Sequence, residues 1–333
     1  MYQAHPGRKH RVGMTLVARL LALGGLLLLA GSIAFAESWP ARPVKLVVPY
    51  PPGGSSDMLA RIFADGLSAQ LGHPVIVENK GGAATIIGTE YVAAQHPDGY
   101  TLLLCTPGLA INPSLYNVHY DPGRSFTYVN MLAALPLILV AHPDLPAGNI
   151  DELVALAKSK PGALSYSSYG MGSASHIAGE LLQQMTGAKM LHIPFKGSSA
   201  AVTEVVAGRT QLSFTTVPMV IPMIRAGRVK AIAVTTSLRL EVMKEVPTIA
   251  ESLPGFEVTS WLGLCAPAGL PNEIVVRLNK ATNEIVNAPE SRTRLAEAGY
   301  VVAGGTPEEF RSFVLAETRK WSTLIREVNV RVQ

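Results

Sequence analysis

The chain has 333 residues, 28 basic against 24 acidic side chains and a formal net charge of +4, with a pI near 9.0. Four of the basic residues, Arg8, Lys9, Arg11 and Arg19, and none of the acids fall within residues 1–36, so the remaining 297 residues are balanced at 24 of each. That balance removes the basic surface expected of a nucleic-acid binder or a protein held on an anionic membrane. Two cysteines, Cys105 and Cys265, are too few for a disulfide scaffold, so an ordinary core must hold the fold. Each lies in an apolar stretch, and the reading preferred from sequence is two separate buried thiols.

In chain order, the first element is an export signal. A basic n-region leads into an apolar run from Leu20 to Ala36 that ends in Ala34-Phe35-Ala36, a small-x-small cleavage pattern. The run is short for a membrane span and contains Gly24, Gly25 and Gly31. Ser32 stands where a lipoprotein box would need Cys. Residues 1–36 are therefore read as a cleavable signal peptide, and the mature chain as periplasmic and without a lipid anchor.

Strand and helix signals then alternate. Strands are expected at Val44–Val48, Pro74–Glu78, Thr101–Cys105, Leu137–Ala141, Leu164–Ser168, Met190–Phe195, Gln211–Val217, Val229–Thr235 and Trp261–Ala266. Between them, helical spacing marks residues 57–71, Ile86–Ala94, Asn149–Lys158, Ala174–Met185, Ser198–Val206 and Val220–Ala226; after Ala266 the chain reads as helical. This pattern predicts α/β architecture with parallel sheets covered on both faces. The longest turn-rich joins lie near 107–136 and 236–260. The expected division is a discontinuous domain I (37–139 and 258–333) and an inserted domain II (140–257), with a hinge and a ligand cleft between them.

Three strand-to-helix turns share one grammar: Pro52-Gly53-Gly54-Ser55-Ser56 before Asp57, Ser167 through Gly172-Ser173 before Ala174, and Lys196-Gly197-Ser198-Ser199 before Ala200. Glycine allows close backbone approach, serine offers a hydroxyl, and a helix N-terminus favours an anion. The same residues also cap helices, and the pattern alone leaves both readings open. Thr106, Thr215 and Thr216 place hydroxyls just past apolar strands, and His176 starts the helix after Ser173. Asp57 could order its turn. The end of strand 211–217 has no charged side chain to meet a ligand ammonium, which points to a plain carboxylate. No Walker loop, complete dinucleotide fingerprint, Gly-x-Ser-x-Gly elbow or metal-spaced histidine pair occurs, so neither cofactor nor metal nor catalysis is expected.

Beyond these features, a series of motifs runs through Trp39-Pro40, Pro49-Tyr50-Pro51-Pro52-Gly53-Gly54 with Asp57, Val77-Glu78-Asn79-Lys80-Gly81-Gly82-Ala83, and Pro97-Asp98-Gly99-Tyr100-Thr101. It continues with Tyr166-Ser167-Ser168, Gly172-Ser173 with His176, Pro194-Phe195-Lys196-Gly197, Val246-Pro247-Thr248 with Glu251, and Ala266-Pro267-Ala268-Gly269. In this order they resemble the Bug family, the solute receptors of tripartite tricarboxylate transporters, over nearly all of residues 39–328. The resemblance implies type II periplasmic binding protein architecture, two Rossmann-like lobes closing on a small carboxylate that is passed to a membrane permease. It implies ligand contacts at Gly54, Ser55, Ser56, Thr85, Thr106, Gly172, Ser173, His176, Phe195, Gly197, Ser198 and Thr215. Three positions depart from the family pattern: Phe195 where Tyr is frequent, Ala84-Thr85 where a Gly pair is usual, and Thr215 where Asp is frequent. The expected protein is a monomeric receptor with no nucleic-acid partner; the alternatives are a sensor component presenting its ligand to a signalling receptor, or a periplasmic hydrolase.

Overall fold

A computed structural model describes residues 1–3 and 39–327. The chain separates into a short unit, Met1–Ala41, and a main unit, Arg42–Gln333. In the short unit the Trp39–Pro40 peptide is cis. The signal peptide expected over 1–36 lies, past residue 3, outside the described residues, as does Val328 at the expected end of the last helix. No helix among the described residues is long and apolar enough to cross a membrane.

The main unit starts as the apolar pattern requires. Strand β1 (Val44–Val48) is followed by α1 (Ser55–Leu71), β2 (Val75–Asn79), α2 (Ile86–Ala93), β3 (Thr101–Cys105) and the short α3 (Pro107–Ile111). β1 lies between β2 and β3, parallel to both. The next strand was not foreseen at its full length. β4 runs 16 residues, Phe126–Ala141, and so takes in the end of what sequence marks as a turn-rich join near 107–136. Pro136 lies inside the strand.

Pro136 sits where β4 changes partners. Up to Pro136 the strand pairs with β9 (Thr259–Pro267), and from Leu137 it pairs with β7 (Leu212–Thr216). A proline cannot donate to a ladder, and a position between two sheets is where that loss matters least. Of the remaining elements, α4 (Ile150–Ser159), β5 (Ser165–Ser168), α5 (Ala174–Thr186), β6 (Leu191–Pro194) and α6 (Ser198–Val206) precede β7. After it come α7 (Val217–Arg225), β8 (Lys230–Val234), α8 (Ile249–Ser252), β9, α9 (Asn272–Asn287), α10 (Pro289–Glu297), β10 (Val301–Gly304) and α11 (Pro307–Glu327). β10 was expected to be a join between helices.

Two lobes result. In the first, strands run β2-β1-β3-β9-β4 with β10 on β4; in the second, β4 continues beside β8 and beside β7, β5 and β6. The sheets are mixed rather than parallel. β4 leaves the first lobe and β9 returns to it, and both run antiparallel to their neighbours. The connection after β8 lies against β4, where Thr235 N–H donates to Leu137 O (3.0 Å) and Val258 N–H to Thr235 O (3.1 Å).

The two cysteines also correct the sequence reading. Cys105 and Cys265 form a disulfide, with Cα atoms 6.3 Å apart. β3 and β9 are adjacent antiparallel strands, which sets side by side two residues 160 positions apart in sequence.

Candidate functional site

The turn between β1 and α1 is organised by Asp57. Its carboxylate accepts from Gly53 N–H (3.0 Å), Asn79 Nδ2 (2.9 Å) and two Arg61 nitrogens (both 3.0 Å). Burial raises the pKa of this carboxyl, but the Arg61, Gly53 and Asn79 bonds together hold it below the ordinary aspartate value. Asp57 thus orders the loop, and it does not line the cavity. Gly53 takes φ +84°, a left-handed conformation suited to glycine. Gly54 then caps α1 in extended conformation with no side-chain acceptor for the first-turn N–H groups.

A second turn faces it from the other lobe. Phe195 N–H bonds Ser168 O (2.9 Å) and Gly197 N–H bonds Tyr169 O (3.3 Å), which pins the β6–α6 turn to the end of β5. Gly197 caps α6 at φ +104°, again without a side-chain cap. The lobes approach closely here: a Cβ on Gly54 would lie 3.0 Å from Ser198 Oγ. Thr216 Oγ1 donates to Ser55 Oγ across the cleft (2.9 Å), and Tyr300 OH holds the Ser55 carbonyl (2.7 Å).

Between these turns lies a cavity enclosing about 470 Å³ of atom-free space, mouth included. Of the residues expected to contact a ligand, Gly54, Ser55, Ser56, Thr106, Gly197 and Ser198 line it, together with Tyr50, Leu135, Tyr169, Thr216, Ser260 and Leu262. Lys196 is the one charged residue in the lining, and no acid is present. Tyr50 and Tyr169 meet edge to face at 6.2 Å. Burial pushes the Tyr50 phenol up to about 12, against a hydrogen bond with Thr106 that lowers it.

The same two tyrosines also line a smaller space, with Ala84, Thr85, Gly108, Gly172 and Ser173. Ala83, Ala84 and Thr85 have φ of 44°, 54° and 79°, and Asn112 Nδ2 holds the Ala84 carbonyl at 2.7 Å. Ser173 acts as a helix cap: its Oγ accepts from His176 N–H (3.3 Å) and donates to Gly170 O (2.6 Å).

Three predicted contacts fall outside both spaces. His176 Nδ1 accepts from Gly172 N–H (3.2 Å), and its ring stacks on His192 at 4.2 Å. Burial lowers its pKa to about 4; burial and the neighbouring His176 lower that of His192 to about 3. Neutral His176 is a packing residue. Thr215 is fully buried, because side chains alternate along β7 and Thr216 takes the cleft side. Phe195 contributes its backbone to the turn, while its half-buried side chain lines neither space. Ser168 Oγ lies 2.7 Å from His192 Nε2, but Ser168 is fully buried and also lies off both cavities.

The lining residues not foreseen divide by the signal they leave. Tyr50 and Lys196 belong to the motifs of the glycine turns, and that adjacency is the signal that could have marked them. Leu135, Ser260 and Leu262 reach the site through the β4–β9 pairing, which sets Leu135 opposite Ser260 and Ala133 opposite Leu262; no local pattern marks them.

Residues 59–330 match the tripartite tricarboxylate transporter family receptor. Protein BugT of Bordetella pertussis is 36% identical over 327 residues, covering 95% of this chain and 99% of that protein. Among solved structures, R. palustris Rpa4515 with adipate superposes with a TM-score of 0.86 at 35% identity, covering 88% of this chain and 99% of that one. MatC from Rhodopseudomonas palustris with bound malate gives 0.81 at 31% identity, covering 86% and 100%. With the two lobes and the paired glycine turns between them, these similarities show that the chain belongs to the tripartite tricarboxylate transporter receptor family, with the Bug proteins among its relatives.

Proposed function

We propose that this chain is a periplasmic receptor that captures a small carboxylate by lobe closure and delivers it to a membrane permease. The observation that carries the ligand class is the pairing of α1 and α6. Their N-termini face each other across the cavity, both capped by glycine, both flanked by serine hydroxyls, in a lining with one lysine and no acid. Uncapped N–H groups at a helix start favour an anion, and each charge-assisted bond strengthens as water leaves. The relatives with adipate and with malate hold ligands of this chemistry.

In this reading the lobes comprise residues 37–139 with 258–333 and residues 140–257, and they rotate about the paired crossings at Pro136–Leu137 and Thr235–Val258. A carboxylate bound first to one turn gains the other on closure, and only that difference shifts the lobes toward the closed form. The chain acts as a monomer, exported by its signal peptide, and does no chemistry on its ligand.

A thermal-shift screen of residues 37–333 against mono-, di- and tricarboxylates and amino acids tests the assignment. A ligand at a hundred times its Kd adds about 2.7 kcal/mol, a shift of several degrees for a chain this size. A hit among plain carboxylates is expected. Silence toward every acid, in folded and ligand-free protein, would end the reading, and a response to amino acids alone would overturn the plain-carboxylate assignment.

A further inference from the structure

We propose that Lys196 is the residue that makes this receptor prefer a dicarboxylate over a monocarboxylate of the same skeleton. The inference rests on the carboxylate reading of the site and adds to it the origin of the selectivity.

Polarity and burial are unevenly distributed around the cavity. Ser55, Thr106, Ser198, Thr216 and the uncapped starts of α1 and α6 are buried. They can neutralise one carboxylate by hydrogen bonding, without a formal charge. Leu135 and Leu262, each 1% exposed, supply apolar wall that suits a hydrocarbon spacer. Lys196 is exposed, so its ammonium belongs to the rim. A ligand with one carboxylate against the buried turns therefore leaves its far end toward the rim, where the single lining cation stands.

One further observation separates Lys196 from an ordinary surface lysine. Its backbone is fixed on both sides, by Phe195 N–H on Ser168 O and Gly197 N–H on Tyr169 O, so the stem starts from a defined point. Its ammonium has no hydrogen bond or ion pair among the described residues. Lys158, Lys160 and Lys189 are exposed and without a side-chain partner in the same way, but none of them lines the cavity. A cation at a cavity mouth, with no acid in the lining to occupy it, is available to an anion brought by the ligand.

The test is calorimetric titration of wild type, Lys196→Gln and Lys196→Arg with matched pairs: succinate and butanoate, adipate and hexanoate, terephthalate and benzoate. Wild type should favour the dicarboxylate of the pair it accepts. Lys196→Gln should weaken that dicarboxylate by about three- to tenfold and leave the monocarboxylate unchanged, while Lys196→Arg keeps the preference. Thermal unfolding of the three proteins without ligand should coincide, because the side chain is exposed. Equal weakening of both members of a pair, or of neither, would overturn the proposal while leaving carboxylate binding intact, as would a wild type that favours the monocarboxylate. Failure of wild type to bind any of the acids would overturn both the proposal and the carboxylate reading beneath it.

Discussion

The starts of α1 and α6 and the start of α5 follow nearly the same sequence grammar, yet the fold uses them in opposite ways. Gly54 and Gly197 leave the first-turn N–H groups of their helices without a side-chain partner. Ser173 supplies α5 with its own cap by accepting from His176 N–H, as Asn149 does for α4 and Thr248 for α8. A helix start that satisfies itself contributes to stability; one capped by glycine at a cleft keeps its donors for something else. A Gly-Ser turn is therefore informative about binding only once the N-cap residue is known.

The largest expected effect lies on the capped side, in the buried imidazoles behind Ser173. His176 and His192 have folded pKa values near 4 and 3 against an ordinary 6.5. The unfolded chain therefore takes up more protons across that interval, and stability falls as pH drops from 6.5 toward 4. Glu180 lies 3.8 Å from His176 Nε2, yet burial sets the direction of the shift. Denaturant midpoints measured from pH 7 to 4 should fall steadily, and His192→Gln should flatten the curve; equal slopes in both proteins would refute the assignment.

The comparison predicts an opposite split for Gly54→Val. Its φ of −90° accepts a side chain without strain, but the new atoms would press on Ser198 in the closed form. Affinity for whichever acid the screen identifies should drop about tenfold or more, with the ligand-free melting point nearly unchanged. A variant that binds normally would show that closure does not bring these turns together.

A pair of alanine substitutions then separates the two kinds of turn. Ser173→Ala should cost about 1 kcal/mol of stability with little change in affinity. Ser198→Ala should weaken binding by several-fold, the value of about one hydrogen bond, with little change in stability. If the two variants exchange these phenotypes, the distinction between capped and uncapped starts is wrong. The smallest effect is expected at Ala84, held at φ 54°. Ala84→Gly should stabilise the chain by up to about 1 kcal/mol, read as a higher denaturant midpoint.

Sequence made some parts of this site legible and hid others for identifiable reasons. The Gly54 and Gly197 turns could be read because every participating residue is contiguous. Thr215 and Thr216 both stand past the apolar strand, and strand alternation gives two faces without saying which one meets the cleft. Leu135, Ser260 and Leu262 required the pairing of β4 with β9, and the length of β4 was masked by Pro136, a residue that usually ends strands. Asp57 could be assigned to the turn from its position, whereas its partner Asn79 comes from the next strand. The Cys105–Cys265 bond depends on β3 and β9 being neighbours, which their spacing in sequence does not reveal.

That bond has a consequence for how the molecule responds to damage. It joins two strands of the first lobe, and the entire chain of the second lobe lies between its ends. A protease that cuts one peptide bond anywhere between residues 106 and 264 leaves two fragments tethered covalently. Such a nicked molecule would migrate as a single full-length species until a reductant is added, and only then divide in two.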